Sequence, residues 1–463
     1  MIKNRILTAL VIGALLMVGA PSATAEDAPT SAATTGPVFN RPKGSVAEQG
    51  AILSHLGKLV GGAQSGSTIR ISLYMFGSSW LATQLEAAHK KGVNVQVLVD
   101  DDTISDPWMA GAGVAVKSIL TKAFALTPPD GETYGTSWFR VCSAGQACLA
   151  QRTGGVNHNK FFLFSRTTGT GSPTTGTPVD NVVVQSSGNL TLWDRQSAWN
   201  DAMTVADNAE LYAGYDKYFG LMAASQAKPD GSARVDNLAI DVEAGAAKGY
   251  FFPHNSTDPT AKIDTVENIL GMVQTPVPDP ADPTHKTLPV CSGNTPGHGT
   301  ADGRTVIRIA NGHISRPAVA EKLWRLANAG CMIDIVYDKL ADYQEEGPHR
   351  ATAYWLTMAT SKGSVGRISL HHLGNDDKTN PADVNVSGTA THTKYLLIEG
   401  SYGGKKDQKL VFTGSHTYTG DALSRNDEAL LKYNSATVHD AYVANFREQR
   451  AAAAAEALYG VIP

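Results

Sequence analysis

"VNHNKFFLF" occupies residues 156–164 and "ATHTKYLLI" occupies 390–398. Each sets a His and a Lys two residues apart, directly ahead of four apolar side chains. In an extended strand residues i and i+2 project from one face. His158 therefore stands beside Lys160, and His392 beside Lys394, a titratable ring next to a fixed positive charge in both places.

More than these pairs is repeated. "STIRISLYMF" (67–76) matches "RTVIRIANGHI" (304–314), both alternating like strands. Amphipathic helices follow, "LATQLEAAHKKG" and "AVAEKLWRLANAG", each stopped by glycine. Next come "VNVQVLVDD" and "CMIDIVYDK", with Asp100 and Asp338 at the carboxyl ends of predicted strands. Strand–helix–strand order predicts a sheet with a crossover helix. Beyond the His-Lys strands, "NVVVQSSGNLT" (181–191) matches "KLVFTGSHTYT" (409–419), and "WNDAMTV" matches "RNDEALL". Helices carrying Tyr215 and Phe219, then Tyr442 and Phe446, close each series, their aromatics expected in the core.

Five segments in the same order mean a tandem duplication. The predicted fold is α/β: two homologous halves, each a mixed sheet flanked by helices, related by a pseudo-twofold axis with the site between them. The halves are placed at 46–272 and 305–463. The Pro- and Gly-rich stretch 273–304 reads as an irregular connector.

Residues 1–25 combine Lys3 and Arg5, an apolar run and "ATA" at 23–25, the pattern of a secretory signal. The mature start, 26–45, reads as disordered. The exported chain is expected to pair its four cysteines by proximity, Cys142 with Cys148 and Cys291 with Cys331. There are 39 basic and 43 acidic residues; the leader holds only Lys3 and Arg5, so the mature chain stands at −6. That balance offers nucleic acid no general attraction.

Two opposed histidines can serve as nucleophile and general acid at phosphorus, with the lysines on the non-bridging oxygens. On the following strands, Ser187 and Asn189 share one face and Ser415 and Thr417 the matching face, small donors for a phosphate. His416 falls on the opposite face and reads as structural. Asp201 and Asp427 of the two "ND" segments are candidates to orient the histidines, with Glu428 adjoining the second. Asp100 to Asp102 read as a solvated strand end, with cation binding the alternative. His371 and His372 read as a strand end. The loop after the first motif strand, 165–180, is a candidate substrate rim.

The chain resembles the phospholipase D superfamily, whose signature HxKxxxxD followed by GSxN occurs twice in one active site. Here it reads "HNKFFLFS" with "SSGN" and "HTKYLLIE" with "GSHT". The motif aspartates are replaced by Ser165 and Glu399, the first glycine by Ser186 and the second asparagine by Thr417. The resemblance implies a reaction without metal or cofactor: His158 forms a phosphohistidine, His392 protonates the leaving alcohol, and Lys160, Lys394, Ser187, Asn189 and Ser415 hold the phosphate. It implies a secreted, monomeric phospholipase D acting on phospholipid at a membrane or micelle. An exported nuclease and a non-catalytic phosphate-binding homologue are the alternatives.

Overall fold

The computed structural model describes residues 33–228, 231–258, 260–273, 291–341, 350–361, 363–374 and 388–458. The expected secretory signal lies outside them. Among the described residues no helix is long and apolar enough to cross a membrane.

Two large mixed sheets form the molecule. The first runs, edge to edge, Gly36–Phe39, Asp201–Val205, Val179–Ser186, Lys160–Thr167, Thr68–Leu73, Asn94–Val99 and Trp138–Val141. The second repeats that order with Ala247–Phe251, Ala429–Asn434, Lys405–Gly414, Lys394–Tyr402, Val306–Ile314, Met332–Leu340 and Arg367–His372, plus Val242–Ala244 on the edge.

The helices Ala209–Gln226 and Ala436–Leu458 lie between the sheets. Tyr215, Phe219, Tyr442 and Phe446 join Phe161 and Leu163 of one sheet and Tyr395 and Leu397 of the other in a single core. Phe162 and Phe164 point the other way, into the core under the helices Ala51–Gly61 and Ser79–Lys90. The second sheet's outer face is covered by Thr265–Gly271 and Pro317–Asn328. Each motif strand is thus buried on both faces, which is why "FFLF" and "YLLI" are unbroken apolar runs.

The repeat begins earlier than its sequence pattern suggests. Gly36–Phe39, in the stretch expected to be disordered, pairs antiparallel with Asp201–Val205. Ala247–Phe251, assigned to the first half, pairs antiparallel with Ala429–Asn434 in the second sheet. Phe39 opposes Asp201 as Phe251 opposes Ala429, so the two edge strands are equivalents. The boundary between halves therefore lies between Gln226 and Val242. The supposed connector falls inside the second half, between Thr265–Gly271 and Val306–Ile314. Its described part, 291–304, is irregular and is tied down by the Cys291–Cys331 disulfide. Linker-like composition here does not mark the junction between the halves. Cys142 pairs with Cys148, also as expected.

Candidate active site

The halves meet where the motif strands begin. The His158 N–H donates to the Asp427 carbonyl (3.0 Å) and the His392 N–H to the Trp199 carbonyl (3.0 Å). Each histidine backbone is therefore pinned by the other half. These bonds also reveal the register of the duplication. Ser187 N–H donates to Asp201 O, and Ser415 N–H donates to Ala429 O. Asp201 is thus the equivalent of Ala429, and Asn200 that of Glu428. Matching "ND" to "ND" in the sequence puts the two segments two residues out of step.

This register decides which groups orient the rings. His158 Nδ1 lies 2.9 and 3.0 Å from the two carboxylate oxygens of Glu428. His392 Nδ1 lies 3.0 Å from Asn200 Oδ1 and 3.3 Å from Asp194 Oδ1. Neither Asp201 nor Asp427 bonds to the ring of His158 or His392. Asp201 accepts from the Thr413 and Tyr442 hydroxyls. Asp427 accepts from Leu149 N–H (2.9 Å) and Ala150 N–H (2.8 Å), beside the Cys142–Cys148 disulfide. Both aspartates are buried struts between halves. Burial pushes Asp427 up to about 7 against those N–H bonds.

Sequence reasoning missed Asp194 and Asn200. Asp194 sits in the first turn of Leu192–Gln196, where its carboxylate takes the Thr191 hydroxyl and the Asn189 N–H. A helix N-terminus favours that negative charge. Its signal was the Thr-x-x-Asp capping pattern at 191–194.

Lys160 and Lys394 are fully buried. Lys160 Nζ donates to His158 O at 2.6 Å and lies 5.1 Å from the Tyr74 ring centre. Lys394 Nζ donates to His392 O and, at 3.4 Å, to Ser187 O. An ammonium carries three donors, so both lysines retain capacity for oxygens of a ligand. The rings of Tyr74 and Trp193 flank His158 and His392 at 5.3 and 5.4 Å.

The two His-Lys pairs lie within electrostatic reach of each other. Burial, then Lys160 and Lys394, holds His158 well below its ordinary value. Burial, with both lysines adding and Asp194 opposing, brings His392 down to about 3. Burial, then Lys394, lowers Lys160 strongly; burial also brings Lys394 down to about 8. Burial raises Glu428 to about 8 against the pull of Lys160. It pushes Asp194 up too, but the His392, Thr191 and Asn189 bonds outweigh it and hold that carboxyl below its usual value. The rings are thus neutral at pH 7, the form a nucleophile needs.

The four predicted phosphate donors divide. Ser187 and Ser415 are buried and turned inward: Ser187 Oγ donates to Asn200 Oδ1 (3.1 Å), and Ser415 Oγ accepts from Ala429 N–H (3.1 Å). They hold the groups that hold the histidines. Asn189 lines an open pocket of about 640 Å³ with Asp194, Asn200, Ile52, Leu53 and Leu192. Its Oδ1 accepts from Met75 N–H, which orients the amide. The Thr417 hydroxyl shares a bond with Thr419 (3.1 Å).

Other candidates fall outside. His416 stacks on Phe252 (4.1 Å) and its Nε2 lies 3.2 Å from Arg316 Nη2, a structural position. The loop after Thr167 begins seven residues along the strand from Lys160, about 23 Å away at strand rise, and packs on the Ala51–Gly61 helix through Gly171 N–H to Lys58 O. It is no rim to this site. The Asp100–Asp102 carboxylates come within 4.8 Å of one another, but protein donors engage each: Asn157 N–H on Asp100, Gly145 N–H on Asp101 and the Tyr74 hydroxyl on Asp102. His371 and His372 bond to Asp334 and to the Asp338 carbonyl. The substituted motif positions support the sheet: Ser165 Oγ accepts from Thr68 N–H, and Glu399 pairs with Arg308.

The family model described as "Cardiolipin synthase, PLD-like domain" matches residues 59–222 and again 301–450. Among solved structures, phosphatidylserine synthase of Haemophilus influenzae Rd KW20 aligns with a TM-score of 0.52 at 11% identity, over 89% of this chain and 85% of that one. Polyphosphate kinase of Porphyromonas gingivalis gives 0.48 at 13% identity, over 90% of this chain and 50% of that one, so the chain spans half the length of that relative. Nuc of Salmonella typhimurium gives 0.25 at 14% identity, over 44% of this chain and 92% of that one. No curated protein sequence matches the chain.

Proposed function

Because the chain belongs to the phospholipase D-like family, whose model matches both halves, we propose that it is an exported phospholipase D. It cleaves glycerophospholipids to phosphatidic acid and free head-group alcohol. The observation that carries this reading is the pair of neutral histidines, each beside a buried lysine and each held at Nδ1 by a polar group of the other half.

Glu428 and Asn200 take the Nδ1 side, leaving Nε2 of each ring for chemistry. His158 Nε2 attacks phosphorus and forms a P–N bond as the bond to the head-group oxygen breaks. His392, protonated at Nε2 once the negative charge of the bound phosphodiester offsets the lysines beside it, gives that oxygen its proton. In the second step His392 takes a proton from water, the water oxygen bonds to phosphorus and the P–N bond breaks. An alcohol in place of water gives transphosphatidylation. Lys160 and Lys394 hold the non-bridging oxygens as charge builds. Asn189 adds an oriented amide.

Phospholipid is favoured over nucleic acid by the acidic net charge and by Trp80 and Trp108, which are 50% and 61% exposed. Tryptophan rings suit a bilayer interface. The disulfides and the leader pattern fit an oxidising, extracellular setting, and one chain carrying both motifs suffices as a monomer.

The test is phosphatidic acid formation from phosphatidylcholine vesicles in excess EDTA, beside His158→Ala. Product that disappears in the variant supports the reading. Cleavage of DNA or RNA without phosphatidic acid would transfer it to the nuclease alternative.

A further inference from the structure

The duplication supplies an internal comparison far from the catalytic site. Near the amino ends of its three parallel strands, the inner face of the second sheet carries Arg308, Asp334 and Ser369 in one row. The equivalent row of the first sheet is Arg70, Gln96 and Trp138. There the space under the central helix is closed. Trp138 stacks on Phe219 at 5.7 Å, and Arg70 is paired with Asp216 and bonded to Gln96.

In the second half Ser369 stands where Trp138 stands in the first, and the stack is lost. The central helices align through their caps: Asn208 accepts from Leu211 N–H as Ser435 accepts from Val438 N–H. Phe446 is therefore the equivalent of Phe219, while Arg447 and Arg450 replace Gly220 and Ala223. A solvent-open pocket of about 640 Å³ results, its apolar lining supplied by Val306, Met332 and Phe446, with Arg308, Arg367, Arg447 and Arg450 on its walls. Arg450 is paired with Asp334 (2.7 Å) and Arg308 with Glu399 (3.2 Å). Arg367 and Arg447 are exposed and make no ion pair among the described residues. Four guanidinium groups thus face two carboxylates in a protein whose formal charge is −4.

We propose that this pocket binds a phosphate group, free or as the phosphomonoester head group of a lipid. Guanidinium forks match phosphate oxygens two at a time, and the apolar lining suits the first carbons of a chain bearing that phosphate. The site lies on the opposite end of the sheet from His392: Arg308 opposes Leu397 where Asn311 opposes Lys394. It acts as an anchor and takes no part in turnover, and it stands whether or not the catalytic site hydrolyses phospholipid.

The experiment is calorimetric titration of the full chain with inorganic phosphate, with inhibition of turnover followed in parallel. Phosphate at the catalytic lysines inhibits; phosphate in the pocket does not. Two variants report on the pocket. Ser369→Trp restores the plug of the first half and keeps every arginine. Arg367→Ala with Arg447→Ala removes the two unpaired charges from the surface. Each is expected to abolish the non-inhibitory site, or weaken it at least about tenfold, with the inhibition constant unchanged. A wild-type protein without a non-inhibitory site, or one that survives in both variants, overturns the proposal. Sedimentation with phosphatidylcholine vesicles, with and without phosphatidic acid, identifies the source. Retention that needs phosphatidic acid and is lost in Ser369→Trp assigns the lipid head group. Equal retention on both vesicles, beside a variant-sensitive phosphate site, assigns free phosphate.

Discussion

Glu428, from the second half, grips His158, from the first, through both carboxylate oxygens at 2.9 and 3.0 Å. The equivalent contact on His392 is made by a neutral amide, Asn200, with Asp194 at 3.3 Å behind it. The pseudo-twofold site is chemically asymmetric. Its fully carboxylate-backed ring is the one assigned as nucleophile, and a carboxylate at Nδ1 stabilises the positive charge that ring gains on attack.

Glu428→Gln is expected to lower kcat about 10²- to 10⁴-fold, the range of a positioned acid–base group, with little change in KM. Asp427→Asn, one residue away, removes a strut and leaves the ring contact. It is expected to lower Tm while kcat falls far less. Steady-state kinetics beside thermal denaturation of both proteins separates the roles; equal kinetic losses would return Asp427 to the orienting position.

Asn200→Asp offers His392 a second carboxylate in a buried place. Two carboxyls on one nitrogen repel, so the variant is expected to be less active than wild type despite restoring the apparent symmetry with Glu428. Asp194→Asn, which leaves His392 with neutral partners alone, is expected to cost about 10²-fold or more. Turnover of a soluble phosphodiester checks both.

Activity needs Glu428 ionised and Lys394 protonated. Burial raises Glu428 to about 8, so the rate climbs with pH towards that value; burial lowers Lys394 to about 8, so the rate falls above it. A narrow bell centred near pH 8 is expected in kcat/KM, its limbs belonging to the coupled site. Glu428→Gln should flatten the acid limb of its residual activity. A broad plateau from pH 5 to 10 would contradict this assignment.

The same groups make the site a stability liability. A carboxyl raised in the folded state binds more protons there than when unfolded. Its penalty is absent below about 4.5 and complete above about 8. A lysine lowered to about 8 carries its penalty below that pH and loses it as pH rises towards 10.5. Lys394→Met is therefore expected to stabilise the fold by on the order of 2 kcal/mol at pH 7 while abolishing turnover. Glu428→Gln should stabilise more at pH 8 than at pH 5. Denaturant titration at the two pH values is the measurement.

The disulfides close loops of unequal size, 6 residues for Cys142–Cys148 and 40 for Cys291–Cys331. Chain entropy predicts costs of about 2 and about 4 kcal/mol for removing them. The shorter one braces the Leu149 and Ala150 N–H groups on Asp427. Its double Ala variant is thus expected to lose activity at a temperature where the longer loop's variant, though less stable, keeps it. Activity against temperature for the two proteins tests this.

The sequence alone determined the duplication, the sheet-and-helix order, the cysteine pairs and the two His-Lys pairs. Each of these is written in contiguous residues, as a period of two, a helix stop or a repeated spacing. What it misread, the tertiary structure decided. The edge strands Gly36–Phe39 and Ala247–Phe251 are short and acquire their identity only from Asp201–Val205 and Ala429–Asn434 beside them. The Pro- and Gly-rich stretch 273–304 looked like the junction because composition does not report position in the fold. Glu428, Asn200 and Asp194 became the groups that hold the rings through contacts spanning 270, 192 and 198 residues. The repeated "ND" marked similar letters at non-equivalent places. A local pattern specifies a strand and the face it presents. Which side chain from the other half arrives at that face depends on how the two sheets close over their shared helices.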